Sequence, residues 1–148
     1  MLNKNLSLLV IMLGLGALLL AACGGRTAIA EFSEEPYSIE QVAETGLNRI
    51  LLTERAAERL GVETAAIAEA MKDGEQRLVV PYSAVVYDIN GGTWVYVAIE
   101  PLTYVREAVT VEYIDDDEAV LSDGPEVGTE VVTVAVAELY GADLGVGK

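Results

Sequence analysis

Cys23 is the only thiol in the chain, and among 148 residues there is no histidine. Those two facts remove most catalytic chemistry. A Ser-His-Asp triad, a Cys-His pair and a thiolate or imidazole zinc site each need a residue this chain lacks or holds once. Carboxylates remain. Asp115, Asp116, Asp117 and Glu118 offer hard oxygen ligands of the kind calcium takes. Four adjacent acids splay, however, whereas calcium ligands converge at about 2.4 Å, and a solvated acidic turn is the favoured reading. Asp88-Ile89-Asn90-Gly91 imitates the start of an EF-hand loop, but Ile99 stands at the twelfth position, where a bidentate glutamate belongs. It reads as a hairpin turn. Composition still admits a hydrolase built on paired carboxylates, although no spacing favours one. Asn90-Gly91-Gly92 lacks the helix and lysine of a phosphate loop. The chain is therefore expected to be no enzyme and to carry neither cofactor nor metal.

The surroundings of Cys23 give its thiol another use. Lys4 supplies a short positive region, Leu8 to Leu20 is uncharged and apolar, and the small residues Ala21 and Ala22 follow. That is the order of a secretory signal. Leu20-Ala21-Ala22-Cys23 also resembles the lipobox of bacterial lipoproteins. The resemblance implies cleavage before Cys23 and acylation of its sulfur, with residues 1–22 as signal peptide. An uncleaved membrane helix and an ordinary buried cysteine are the alternatives; Leu6 to Cys23 is 18 residues, short of the roughly 20 that span a bilayer. Either membrane option exports the rest of the chain. The expected location is extracytoplasmic, anchored by lipid to a bacterial plasma or outer membrane, where two or more acyl chains make attachment stable.

From Cys23 onward the chain holds eight basic and 24 acidic residues, a net charge of −16. Nucleic acid is excluded as a partner, because its binding needs basic surface to displace counterions. Close lateral contact with anionic lipid is opposed as well. Without a second cysteine there is no disulfide, and stability must come from a packed core. The 126 residues left after cleavage suit one domain.

Residues 23–36 are small, polar and acidic and end at Pro36, a flexible tether reaching roughly 20 Å as a coil. A single domain over residues 37–148 follows. Tyr37 to Val42 alternates as a short strand. Thr53 can cap a short helix over 54–60, with Ala57 and Leu60 inward and Gly61 as its stop. Val62, Ala65 and Ile67 then lie on a strand, and Lys72 to Gln76 is turn chemistry. From Leu78 on, strand follows strand. Pro81 belongs at a strand end or bulge, and Asp88 to Gly92 closes a hairpin into Thr93 to Ile99. On that strand Trp94, Tyr96 and Ala98 share one face and Val95, Val97 and Ile99 the other. Both faces are apolar, which means burial on two sides or an exposed aromatic patch; for Trp94 core packing is favoured. Val105, Val109 and Val111 point inward on the next strand, and the segment from Pro125 to Leu139 reads as a turn and a long Val-rich strand. The expected fold is mainly β: a compact antiparallel β-roll or small barrel of six to eight strands with one short helix.

Val80-Pro81-Tyr82-Ser83-Ala84-Val85, followed by Thr93-Trp94-Val95-Tyr96-Val97, resembles the membrane-proximal region of periplasmic adaptor subunits, or membrane fusion proteins. These join inner-membrane transporters to export ducts. The strand from Val105 to Val111 and the closing Gly124, Gly128, Val131 and Val132 are similar to that family too, as is the opening segment from Leu52 to Ile67. The likeness covers Ile50 to Leu144. Full adaptors insert a lipoyl-like domain, a helical hairpin and a β-barrel between the opening segment and the V-P-x-S-A-V strand; here only Glu69 to Leu78 fill that place. The resemblance implies a membrane-proximal domain alone, with the middle excised. It implies a non-enzymatic module, tethered through Cys23, that docks on a membrane transporter or another envelope protein. Tyr82 and Tyr96 are the aromatic candidates for the partner contact. A reading from another class is a free-standing envelope lipoprotein that binds a cation or a basic ligand through its acidic surface.

Overall fold

The computed structural model describes residues 35–146. The lipobox residues Leu20, Ala21, Ala22 and Cys23, the signal peptide and nearly all of the tether lie outside the described residues. In chain order the elements are β1 (Tyr37–Gln41), β2 (Asn48–Leu52), α1 (Glu54–Leu60), β3 (Glu63–Ala66), β4 (Ala68–Lys72) and β5 (Glu75–Pro81). A 3-10 turn (Tyr82–Ala84) leads to β6 (Val86–Tyr87), β7 (Thr93–Glu100), β8 (Thr103–Asp115), β9 (Glu118–Asp123), β10 (Glu130–Val134) and α2 (Val136–Asp143).

The fold is mainly antiparallel β, as expected. Seven strands run in the order β3-β10-β7-β8-β9-β5-β4 and curl into a half-barrel. The pair β1–β2 joins at β8, and β6 adds to β7, which brings the total to ten. The long β8 links the two halves of the sheet. Its first part pairs with β2 and β7, its last part with β9, and the register slips between Thr110 and Tyr113. A slip of that kind bends a strand and raises its twist, which lets one continuous strand serve both halves.

Local chemistry sets the short elements. The Thr53 hydroxyl accepts from the Ala56 N–H at 3.2 Å, and Gly61 ends α1 in the left-handed conformation at φ 63°. Ala56 is the buried face of α1, with Ala57 and Leu60 half-buried beside it. The expected strand through Val62 and Ile67 divides into β3 and β4 about Ile67, which is 1 % exposed. The β4–β5 connection is the two-residue turn Asp73-Gly74, both at positive φ, as a tight hairpin requires. Pro81 ends β5, where no ladder donor is lost.

Two apolar cores lie on opposite faces of β7. Tyr96, with Trp94 and Ala98 at its margin, packs among Ile50, Leu52, Tyr104, Val132 and Leu139; Val95 and Val97 pack among Ile67, Val80, Ala84, Val109 and Val131. Burial on two sides is thus the explanation of this strand's doubly apolar pattern. Val109 is buried, while Val105 and Val111 are half-buried.

One segment departs from the sequence reading. The long Val-rich strand stops at Val134, Ala135 turns at φ 73°, and α2 follows. Val136, Leu139 and Ala142 recur every three residues and are buried, so the helix covers the Tyr96 face. A second helix therefore joins the one expected.

Candidate functional site

Most residues that carry the adaptor-like pattern are structural. Val80, Ala84, Val95, Tyr96, Val131 and Val132 are buried to 1 % exposure or less. Val85 and Trp94 are half-buried, Pro81 ends its strand, and Ser83 is exposed. At Gly124 a Cβ would lie 3.2 Å from Leu121 and from Val109, so both side chains would have to give way to it. Gly128 sits at φ +88°, a conformation that favours glycine. Tyr82 is 43 % exposed, but Tyr96 is fully enclosed. Tyr96 is therefore not a surface contact, because α2 covers the face on which it stands.

The acidic turn does not converge. Lys72 Nζ lies 2.7 Å from Asp115 Oδ2 and 2.8 Å from Glu118 Oε2, standing where a cation between them would stand. Hydrogen bonds to Asp115 and then Glu118 hold the Lys72 ammonium above its ordinary range. Asp116 and Asp117 stay exposed, and among the described residues no group of three acids could hold a metal ion. Asp88 caps its own hairpin. One carboxylate oxygen accepts from the N–H of Asn90 at 2.7 Å and of Gly92 at 2.9 Å, and the other from Trp94 Nε1 at 2.8 Å. The indole donor first, then the two amides, lower the Asp88 carboxyl below its usual value.

The structure assembles a polar cluster that the sequence reading missed. Asp143, the last residue of α2, has a side chain 1 % exposed. Its carboxylate accepts from Tyr96 Oη at 2.9 Å and from Asn48 Nδ2 at 2.9 Å, and the same amide reaches the Asp143 carbonyl at 3.0 Å. Arg106 Nε stands 3.4 Å from the carboxylate without a hydrogen-bonding angle. Its guanidinium lies 4.8 Å from the Trp94 ring centroid, within cation–π range. Burial first, then the charge of Asp143, pushes the Tyr96 phenol up. A carboxylate closed from solvent and engaged by such donors is no nucleophile or base. It fastens α2 to β2, β7 and β8. The three-residue recurrence of Val136, Leu139 and Ala142 was the available sign of this helix; the partners of Asp143 had none, being 37 to 95 residues away in sequence.

Beside the cluster, α1 and α2 flank an apolar cleft of about 470 Å³ lined by Leu52, Ala56, Leu60, Leu139 and Ala142, with Arg59 and Glu138 as its charged walls. Tyr37 donates to the Val146 carbonyl at 3.2 Å near its end.

No family model matches the chain, and no curated protein matches it. Among solved structures it is similar to the NMR structure of a 180-residue segment that spans the N-terminal metal-binding site and the membrane-proximal domain of SilB from Cupriavidus metallidurans CH34. The identity is 16 %, the TM-score 0.43, and the match covers 75 % of this chain and 71 % of that one.

Proposed function

We propose that this chain is a non-enzymatic, lipid-anchored extracytoplasmic module that docks on a membrane transporter. One observation carries the reading. The adaptor-like segments before and after residues 69–78 are joined by the Asp73-Gly74 turn of a plain β-hairpin, where the family that the sequence resembles carries its lipoyl-like, hairpin and barrel domains. On this reading the protein is a membrane-proximal domain by itself. It keeps the part that seats against a transporter and, lacking the long hairpin, builds no duct. The lipobox pattern supports anchoring through Cys23, with residues 23–36 setting the height of the domain above the bilayer. The absence of histidine, the closed position of Asp143 and the Lys72 bridge between Asp115 and Glu118 support the non-enzymatic reading.

The test is a crosslinking pull-down of the full-length protein from its native membrane, with partners identified by mass spectrometry. A transporter permease crosslinked to residues of the β-domain is the expected result. A preparation free of any membrane partner would overturn the proposal, and a saturable rise in melting temperature with added cation or basic peptide would then favour the ligand-binding alternative.

A further inference from the structure

Three exposed side chains lie along the stretch from the 3-10 turn to the hairpin between β6 and β7. Tyr82 is 43 % exposed, Tyr87 50 % and Ile89 95 %. The phenol of Tyr87 is held above its ordinary range by partial burial and then by the neighbouring Tyr82 hydroxyl. Ile89 is held out by a braced loop. Besides the three bonds to its carboxylate, Asp88 donates its N–H to the Gly92 carbonyl at 2.9 Å and accepts from the Gly91 N–H at 3.1 Å. An anchor presented on a rigid loop loses little conformational freedom on binding.

The acidic turn is bonded to the start of this stretch. The Tyr82 N–H donates to the Asp117 carbonyl at 2.8 Å. Lys72 occupies Asp115 and Glu118, whereas Asp116 and Asp117 are exposed and have no ion pair among the described residues. The turn with its two unneutralised carboxylates is thus bonded to Tyr82 at one end of the 82–89 stretch, and Ile89 stands exposed near the other.

We propose that Tyr82, Tyr87, Ile89, Asp116 and Asp117 form the docking surface for a basic segment of a partner protein. The isoleucine enters an apolar pocket, lysine or arginine stems lie on the tyrosine rings, and their cationic heads meet the aspartates. Charge decides among the occupants. Residues 35–146 hold six basic and 22 acidic side chains, a net −16, which opposes approach to anionic headgroups. A second copy would set two acidic turns against each other. This inference deepens the docking reading above and rests on it for the partner's place in the membrane.

A photoreactive phenylalanine analogue placed at Tyr87 or at Ile89 of the full-length protein, in its native membrane, tests it; Thr64 on β3 serves as the comparison site. The expected adduct forms from 87 and 89 and maps to a Lys- or Arg-bearing peptide of a membrane protein. Its yield falls about fivefold or more in D116N/D117N and at high salt. Asparagine keeps the turn, since Asp116 stands at φ 53° and asparagine tolerates that conformation. Adducts that form from Thr64 alone overturn this surface and leave the docking reading standing. Adducts to lipid from Ile89, or to a peptide insensitive to D116N/D117N, overturn the basic partner. Absence of adducts from 87 and 89 overturns this surface, and the pull-down above decides the docking reading separately.

Discussion

Replacing Asp143 with alanine measures how strongly α2 is fastened. The substitution removes the acceptor of Tyr96 Oη and of Asn48 Nδ2, each at 2.9 Å, and the counter-charge 3.4 Å from Arg106 Nε. Asn48 keeps the backbone carbonyl of residue 143 at 3.0 Å, so its amide is only half orphaned. A buried hydroxyl without a partner costs about 1–3 kcal/mol, and breaking a buried ion pair costs about 3–5 kcal/mol. Water offsets part of the second cost, because the Arg106 side chain is 23 % exposed. The expected loss is about 3 kcal/mol, a fall of roughly 10 °C in melting temperature for a domain of this size. Tyr96→Phe keeps the ion pair and removes one hydrogen bond to a charged acceptor, for about 1.5–3 kcal/mol. Trp94 is the chain's one tryptophan and lies against Arg106, so its fluorescence during urea unfolding of the full-length protein in detergent reads both variants. The double variant should lose less than the two single losses together, by about 1 kcal/mol or more. A loss below about 1 kcal/mol in Asp143→Ala, or strict additivity, would refute the latch.

Three further outcomes are expected. The Trp94 indole N–H resonance should titrate with Asp88 at a midpoint below the ordinary carboxylate value of about 3.9. The ionised form is the one the fold favours, so its stabilisation is present above that pH and disappears as pH falls through the lower folded value; a midpoint at or above about 4 contradicts the loop geometry. Gly92→Ala should destabilise more than Gly91→Ala by urea unfolding, since a Cβ at 92 would lie 2.7 Å from Asp88 Oδ2, whereas position 91 is open and carries only the strain of φ +84°; the overpacked site costs about 1–3 kcal/mol and the strained one about 1–2 kcal/mol. Tyr96, whose phenol is raised in the fold, contributes stability that is complete below about pH 10 and is lost as pH rises further. Tyr96→Phe should therefore show a shallower alkaline loss than the wild type in melts between about pH 9 and 11.5, and equal slopes would count against its buried, neutral state.

Much of the architecture was legible because it rests on local rules. Thr53 and Gly61 delimit α1, Pro81 ends β5, Asp88 to Gly92 closes a hairpin, and two-sided burial of β7 follows from apolar residues on both faces. What was not legible depends on distance along the chain. The Val-rich run continues from Val131 through Val136 with no glycine or proline to stop it, and β-branched residues favour strands. Only Ala135, left-handed at φ 73°, breaks it, and the burial of Val136, Leu139 and Ala142 against Tyr96 and its neighbours overrides local preference. The Asp143 cluster was hidden for the same reason: Asn48, Tyr96 and Arg106 meet it only after three strands and a helix have come together. Tyr96 and Tyr82 are alike as residue types, yet the unseen helix encloses one and leaves the other in water.

That contrast separates what speaks for the fold from what speaks for docking. The adaptor-like pattern is carried by residues such as Val80, Val95 and Val131, each buried to 1 % or less, and buried residues act on packing. A partner reads the exterior, where Ile89 stands 95 % exposed and forgoes the roughly 1.5–3 kcal/mol that burying it would contribute. Substitutions should divide accordingly. Val95→Ala opens space in the core and should cost about 2 kcal/mol of stability, while at temperatures well below its melting point the surviving folded protein keeps its crosslink from position 87. Ile89→Ser should change stability by less than about 0.5 kcal/mol and yet sharply reduce that crosslink. Melting curves and adduct yields measured side by side distinguish the two effects. A loop variant that keeps its adduct, or that loses it only in proportion to lost folding, would mean that the exposed isoleucine has no partner to enter.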